Sequence, residues 1–264
     1  MTSSGLKAIY ERPRGEYAEL GLNLYAGCSH NCVYCYNKRE DRPQGLPYDQ
    51  PTKKASLQNI QSDLMILQGA RDKRHVHISF VGDPYDMGRR DNDKPKGLAQ
   101  FLSDDCSSDS YTRSVIKTFR ANDHPFIILT KGGMLAAKDF DLYGPNDWFG
   151  VTLTFDNDTD SKKWEPGAAL PADRIAALKE AHDLGIQTWV SCEPVIYPAQ
   201  TLNLIETTCN LVDFFWVGKL NHYPEIEAKI DWPKFRNDVE VSLQRCGKEQ
   251  GTGYRLKHQL VEAR

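Results

Sequence analysis

Two hydrophobic periods alternate along this chain, and the switches between them outline a repeated unit. Leu57, Ile60, Leu64 and Leu67 recur at spacings of three and four, which marks one face of a helix over 53–68, and Gly69 supplies a stop. The next run, 75–81, is rich in β-formers and ends at Gly82-Asp83-Pro84-Tyr85, so it reads as a strand. A first strand over 20–26 precedes the helix, with an irregular, proline-rich connection over 41–52 between them.

The unit then recurs. A polar loop over 91–110 leads to a helix over 111–122, a strand over 125–130, a short helix over 135–142 and a strand over 149–155. A loop through Trp164-Glu165-Pro166 follows, then a helix over 171–184 that starts at Pro171 and stops at Gly185. A strand over 187–193, a helix over 199–211 and a strand over 214–220 complete six strand-helix alternations. A helix over 231–250, a turn at Gly251-Thr-Gly253 and a strand over 254–257 close the chain.

Such alternation predicts parallel strands joined by right-handed crossovers, and hence an α/β fold. The expected architecture is a partial (β/α)6 barrel over 20–222. A lead-in over 1–19 would be solvated, and a helix-strand extension over 223–264 would pack on the barrel. A chain of 264 residues can bury such a core.

A net charge of −3, with dispersed Lys and Arg, gives no global attraction to nucleic acid. Arg12, Arg14, Arg89 and Arg90 are the residues available for a few phosphate contacts near a barrel mouth. The first residues lack the apolar stretch of a signal peptide, and no run reaches the length of a membrane span. The expectation is a cytoplasmic monomer. Seven cysteines without an export signal suit reduced thiols and a metal site better than disulfides.

Three of those cysteines crowd into one loop, Cys28-Ser-His-Asn-Cys32-Val-Tyr-Cys35-Tyr36, directly after the first strand. Three thiols do not close a tetrahedral zinc site unless His30 or a distant residue supplies the fourth ligand. They can instead hold three irons of a [4Fe-4S] cube and leave the fourth open to a small molecule. A zinc knuckle, a disulfide and three unrelated buried cysteines are the alternatives; no second Cys-x2-Cys pair exists, since Cys106, Cys192, Cys209 and Cys246 are scattered.

The other candidates fall where strands end, which is where a barrel places its site. Asp83 ends the second strand and is either an ordinary turn residue or a carboxylate for a ligand ammonium. Lys131 leaves the third strand before two glycines, either as a surface lysine or as a partner for a carboxylate. Thr152 and Thr154 share one face of the fourth strand. Glu193 and Ser191 share one face of the fifth, and Cys192 takes the other, where a small buried apolar role suits it. His222 follows the sixth strand as a loop histidine. His75 and His77 lie at the start of the second strand, the wrong end for catalysis, and read as surface.

The cysteine loop, Asp83-Pro84-Tyr85, Thr112-Arg113, Leu129-Thr130-Lys131, Trp164-Glu165-Pro166 with Arg174, and Glu193-Pro194 together resemble the radical S-adenosylmethionine superfamily. More narrowly, the chain resembles its DNA repair photolyase group, related to spore photoproduct lyase, over about residues 20–260. The resemblance implies that Cys28, Cys32 and Cys35 ligate a [4Fe-4S] cluster and that S-adenosylmethionine chelates the open iron. One electron, from a reductant such as flavodoxin or ferredoxin, would yield a 5'-deoxyadenosyl radical that takes hydrogen from a small-molecule or nucleic-acid substrate.

By the same resemblance, Lys131 with Thr152 or Thr154 holds the cofactor, and Tyr34 and Tyr36 match a tyrosine pair tied to radical transfer; Asp83, and Glu193 if it faces inward to a ribose or a substrate, are cofactor-binding candidates by their strand-end positions. The lyase's hydrogen-donor cysteine is matched here by Phe80, which leaves Cys106 or Cys192 as substitute donors and puts repair of spore photoproduct in doubt. The alternative function is a non-catalytic iron-sulfur or zinc protein that binds a ligand or senses redox state.

Overall fold

The computed structural model describes residues 5–12, 17–38, 48–86 and 110–263. Its strands are β1 (Ile9–Glu11), β2 (Leu20–Leu22), β3 (Tyr25–Ala26), β4 (Thr52–Lys53), β5 (Val76–Ile78), β6 (Phe126–Thr130), β7 (Trp148–Thr152), β8 (Gln187–Val195), β9 (Phe214–Lys219) and β10 (Tyr254–Leu256). Eight of them form one central sheet in the order β1-β2-β5-β6-β7-β8-β9-β10. From β2 onward every neighbouring pair in that sheet is parallel, and β1 joins β2 antiparallel. This is the partial barrel the alternation predicts, extended by one strand at each edge.

The helices are α1 (Leu57–Gly69), α2 (Tyr111–Ala121), α3 (Asp158–Trp164), α4 (Pro171–Asp183), α5 (Pro198–Thr208), α6 (Pro224–Glu227), α7 (Trp232–Arg245) and α8 (His258–Val261). Side-chain oxygens start several of them: Ser56 caps α1, Ser110 caps α2, Asn157 caps α3 and Asp231 caps α7. The apolar faces of the larger helices and the outward faces of the strands merge in one core, with Ile60, Leu64, Val115, Phe119, Leu178 and Val239 fully buried.

The sheet is strongly curled. His77 on β5 and Trp189 on β8 lie three strands apart, roughly 14 Å on a flat sheet, yet their ring centroids are 6.3 Å apart. Glycine makes this possible: a Cβ at Gly150 on β7 would fall 2.3 Å from Trp189 Nε1, and one at Gly218 on β9 would fall 2.7 Å from Glu193 Oε1. The concave face therefore has room for large side chains from its neighbours.

Several expectations change. The strand expected over 20–26 is two: β2 ends at Leu22, and β3 pairs antiparallel with β4 in a separate small sheet. The Asn23 side chain accepts from Val81 N at 2.7 Å in place of a ladder bond. The second parallel strand stops at Ile78 because Ser79 adopts a positive φ of 63°. Residues 133–142 form a 3-10 helix, Gly133–Leu142, and the expected loop through Trp164 contains α3. The segment before residue 20 is not merely a solvated lead-in: it supplies β1, and it lays the half-buried Tyr17 against Trp189 and Trp216.

Candidate functional site

A cavity of about 380 Å³ opens at the C-terminal ends of the strands, within the size range of small-ligand sites. Cys28, Cys32 and Cys35 all line it, so the loop geometry brings the three thiols onto one space. The loop is held on both sides. Cys28 N donates to Tyr48 O at 2.8 Å, and Ser29 N donates to the Asp86 carboxylate at 2.6 Å. Opposite, Val33 N donates to Trp164 O at 2.7 Å and Gly167 N donates to His30 O at 2.9 Å.

The thiols suit a metal centre better than they suit solvent. Burial pushes the Cys28 thiol up, with the Asp83 and Asp86 carboxylates adding to it, and burial pushes Cys32 up to about 12. Bare thiolates are therefore costly here, and a bound cation would supply the missing positive charge. His30 Nε2 and Ser79 Oγ, two buried polar atoms without a partner, belong to residues that line the same space. On the chemistry of this donor set, an iron-sulfur cluster with three protein ligands fits.

Asp83 reaches the cavity, yet its oxygens also serve the fold: they accept from Thr130 Oγ1 at 2.6 Å, Lys131 N at 2.8 Å and Tyr85 N at 2.8 Å. Burial raises its proton affinity, but His30, 3.5 Å away, and these donors hold its pKa below the ordinary carboxylate value. Gly82 before it has φ 89°, and a Cβ there would sit 2.7 Å from Gly27 O, so the ends of two strands touch backbone to backbone.

Lys131 lines the cavity, with its ammonium 5.6 Å from the Tyr34 ring centre. Burial lowers its proton affinity, but Cys32, Glu165 and Asp83 around it outweigh this and raise its pKa above the ordinary lysine value. Of the two threonines, Thr152 lines the cavity; Thr154 is buried beside Tyr34 and does not belong to the lining. Tyr34 and Tyr36 both border the space, and Tyr36 is 44% exposed. Tyr34 donates its phenol proton to Glu165.

Glu193 lines the far wall, where its carboxylate accepts from Tyr17 at 2.7 Å and pairs with Lys257. Cys192 turns away, fully buried in the apolar core, and burial pushes its thiol up to about 12. A donor role for it therefore lacks geometric support. Cys106, Arg14, Arg89 and Arg90 lie outside the described residues. Among the described residues, the three loop cysteines are the only thiols lining the cavity. Arg12, expected as a phosphate contact, lays its guanidinium 3.7 Å over the Phe80 ring and reaches His77 Nδ1 at 3.4 Å.

Among the lining residues that escape the sequence reading, three stand out: His77, Tyr17 and Lys257. His77 is a correction: it is 1% exposed, not on the surface, and faces the concave side among Tyr17, Phe80 and Trp189. A period-two reading of Val76-His77-Ile78 contains the signal, because apolar neighbours turned to the helices force the histidine inward. Tyr17 and Lys257 come from segments outside the six alternations, and no local pattern singles them out.

Among the described residues, no helix is long and apolar enough to cross a membrane. No curated protein sequence matches the chain. Among solved structures, it is similar to a spore photoproduct lyase mutant in which one tyrosine is replaced by phenylalanine, with TM-score 0.64 and 13% identity over 97% of this chain and 80% of that one. It is also similar to Streptococcus suis SuiB bound to S-adenosylmethionine, with TM-score 0.60 and 14% identity over 90% of this chain. The chain spans about half the length of SuiB, 49%. At these identities the likeness is one of fold. The model of the Radical SAM superfamily matches residues 22–212, which run from the end of β2 to the residues just before β9 and include the three loop cysteines. The chain belongs to the radical SAM superfamily, whose members use a [4Fe-4S] cluster and S-adenosylmethionine.

Proposed function

We propose that this chain is a radical enzyme in which Cys28, Cys32 and Cys35 hold three irons of the cluster and the rest of the cavity holds S-adenosylmethionine and a substrate. The observation that carries this reading is the shared lining: three thiols, Lys131, Thr152 and Glu193 border one space at the C-terminal strand ends. When bound, the cluster supplies one electron that splits S-adenosylmethionine into methionine and a 5'-deoxyadenosyl radical, which takes a hydrogen atom from the substrate.

The chain's own residues orient and enclose. Lys131 offers a charged donor to the methionine carboxylate, and Thr152 offers a hydroxyl beside it. The carboxylate of Asp83 fixes the backbone from which Lys131 projects. On the opposite wall Glu193, buffered by Lys257 and Tyr17, presents an acceptor to a ribose or a substrate. Tyr34 and Tyr36, which flank Cys35 in the loop, add aromatic edges to the lining. Tyr17 and His77 line the floor and Phe80 the wall, and their rings narrow the access of water to the space, which a radical reaction requires. The substrate is a small molecule or a nucleic acid component. Phe80 on the wall and Cys192 in the core leave the loop cysteines as the only cavity thiols among the described residues, so no described thiol is free to relay hydrogen to a product.

The test is anaerobic reconstitution with iron and sulfide, then dithionite and S-adenosylmethionine, with chromatography for 5'-deoxyadenosine. Product that disappears with each of Cys28→Ala, Cys32→Ala and Cys35→Ala supports the proposal. A colourless protein that takes up zinc overturns it in favour of a structural metal site.

A further inference from the structure

One carboxylate beside the cysteine loop is held unusually firmly. Glu165 follows α3 and is 1% exposed. One of its oxygens accepts the Tyr34 phenol proton, and the other accepts from Arg174 Nη2 at 2.6 Å. Arg174 is itself 1% exposed, and each of its three nitrogens has a partner. Its Nε donates to Ala169 O at 2.7 Å, and its Nη1 donates to Thr152 O at 2.9 Å at the end of β7. The chain of contacts thus runs from a barrel strand through a buried ion pair to the residue between Cys32 and Cys35.

The backbone around Glu165 makes the same junction. Trp164 O and Gly167 N hydrogen-bond the cysteine loop at Val33 and His30, and a Cβ at Gly167 would fall 2.3 Å from Ser29 O. Tyr223 OH adds a 2.7 Å bond to Val33 O. A buried ion pair rarely adds net stability over apolar packing, so its presence here calls for another role.

Resting on the cluster reading above, we propose that Glu165, fixed by Arg174, is a positioning residue. It tethers Tyr34 and so the turn from Cys32 to Cys35, and because the ion pair turns its carboxylate end to that turn and its guanidinium end to β7, the near negative end lowers the reduction potential of the cluster.

Two variants of the reconstituted chain separate tether from charge. Glu165→Gln keeps an acceptor of the same shape and removes the charge, so an EPR-monitored redox titration should show wild-type iron content with a more positive midpoint. Tyr34→Phe keeps the charge and removes the tether, so a ferrous chelator should strip iron about fivefold faster, the scale of one hydrogen bond, with the midpoint unchanged. Glu165→Asp, used also where Glu165→Gln does not fold, should restore the midpoint and lose iron as Tyr34→Phe does. A wild-type midpoint in Glu165→Gln, or wild-type iron retention in Tyr34→Phe, overturns the proposal. A wild-type chain that takes up no iron overturns the cluster reading instead, and the proposal with it.

Discussion

Tyr17 donates a 2.7 Å hydrogen bond to Glu193, joining the segment ahead of the first parallel strand to the end of β8 across the barrel interior. The ring packs against Trp189 and Trp216 at 5.0 and 5.2 Å and meets His77 edge-on at 5.5 Å. Tyr17 therefore plugs the floor of the cavity.

Removing only the hydroxyl, Tyr17→Phe, should cost about 1 kcal/mol, the net value of one such bond. Tyr17→Ala should cost about 3 kcal/mol, the low end for large aromatic truncations, because the ring is only half-buried. Urea unfolding measures both, and equal losses for the two variants would show that the ring contributes nothing as a plug.

Arg174→Leu should be more damaging than a core substitution of similar size. It leaves Glu165 charged and buried without its partner, a situation that costs about 3–5 kcal/mol. The double variant Arg174→Leu with Glu165→Leu should recover part of that loss, and thermal unfolding of the pair checks it.

Stability should fall with acidification in a window set by His77. Burial lowers its pKa to about 3, with Arg12 and Lys257 adding to the effect, whereas the unfolded value is 6.5. Between those values the unfolded chain binds the proton and the folded chain does not, so the contribution is present in full above pH 6.5 and is lost as pH falls toward about 3. His77→Phe should flatten the pH dependence of unfolding free energy between these limits. A His77 ring signal, identified by its loss in His77→Phe, that titrates near 6.5 in the folded protein would contradict the assignment.

Gly150→Ala should destabilise although the strand tolerates side chains elsewhere. The added methyl meets the Trp189 indole at 2.3 Å, and overpacking of this kind costs about 1–3 kcal/mol. Because Trp189 Nε1 donates to Ile128 O at 3.0 Å, a change in tryptophan emission should accompany the loss.

Element type and order were legible wherever a local period existed. The amphipathic spacing over 57–67 yields α1, and Pro171 with Gly185 brackets α4 almost to the residue. Errors fall where a side chain or a positive φ overrides propensity. Asn23 captures Val81 N and Ser79 turns the backbone, and neither event leaves a mark in hydrophobic pattern. The cysteine loop was readable because its ligands are contiguous in sequence.

Local pattern alone dictates an alternating α/β chain, a three-thiol loop after the first parallel strand, and strand-end residues Asp83, Lys131, Thr152 and Glu193. Which of these share a cavity, and what completes it, follows from packing across the sheet. Tyr17 and Lys257 enter the site from segments at opposite edges of the sheet, His77 enters from between them, and Cys192 leaves it by a single-residue change of face. The reason is physical: curling brings β5 within ring contact of β8, and that closeness depends on glycines and packing across strands rather than on any neighbour in sequence.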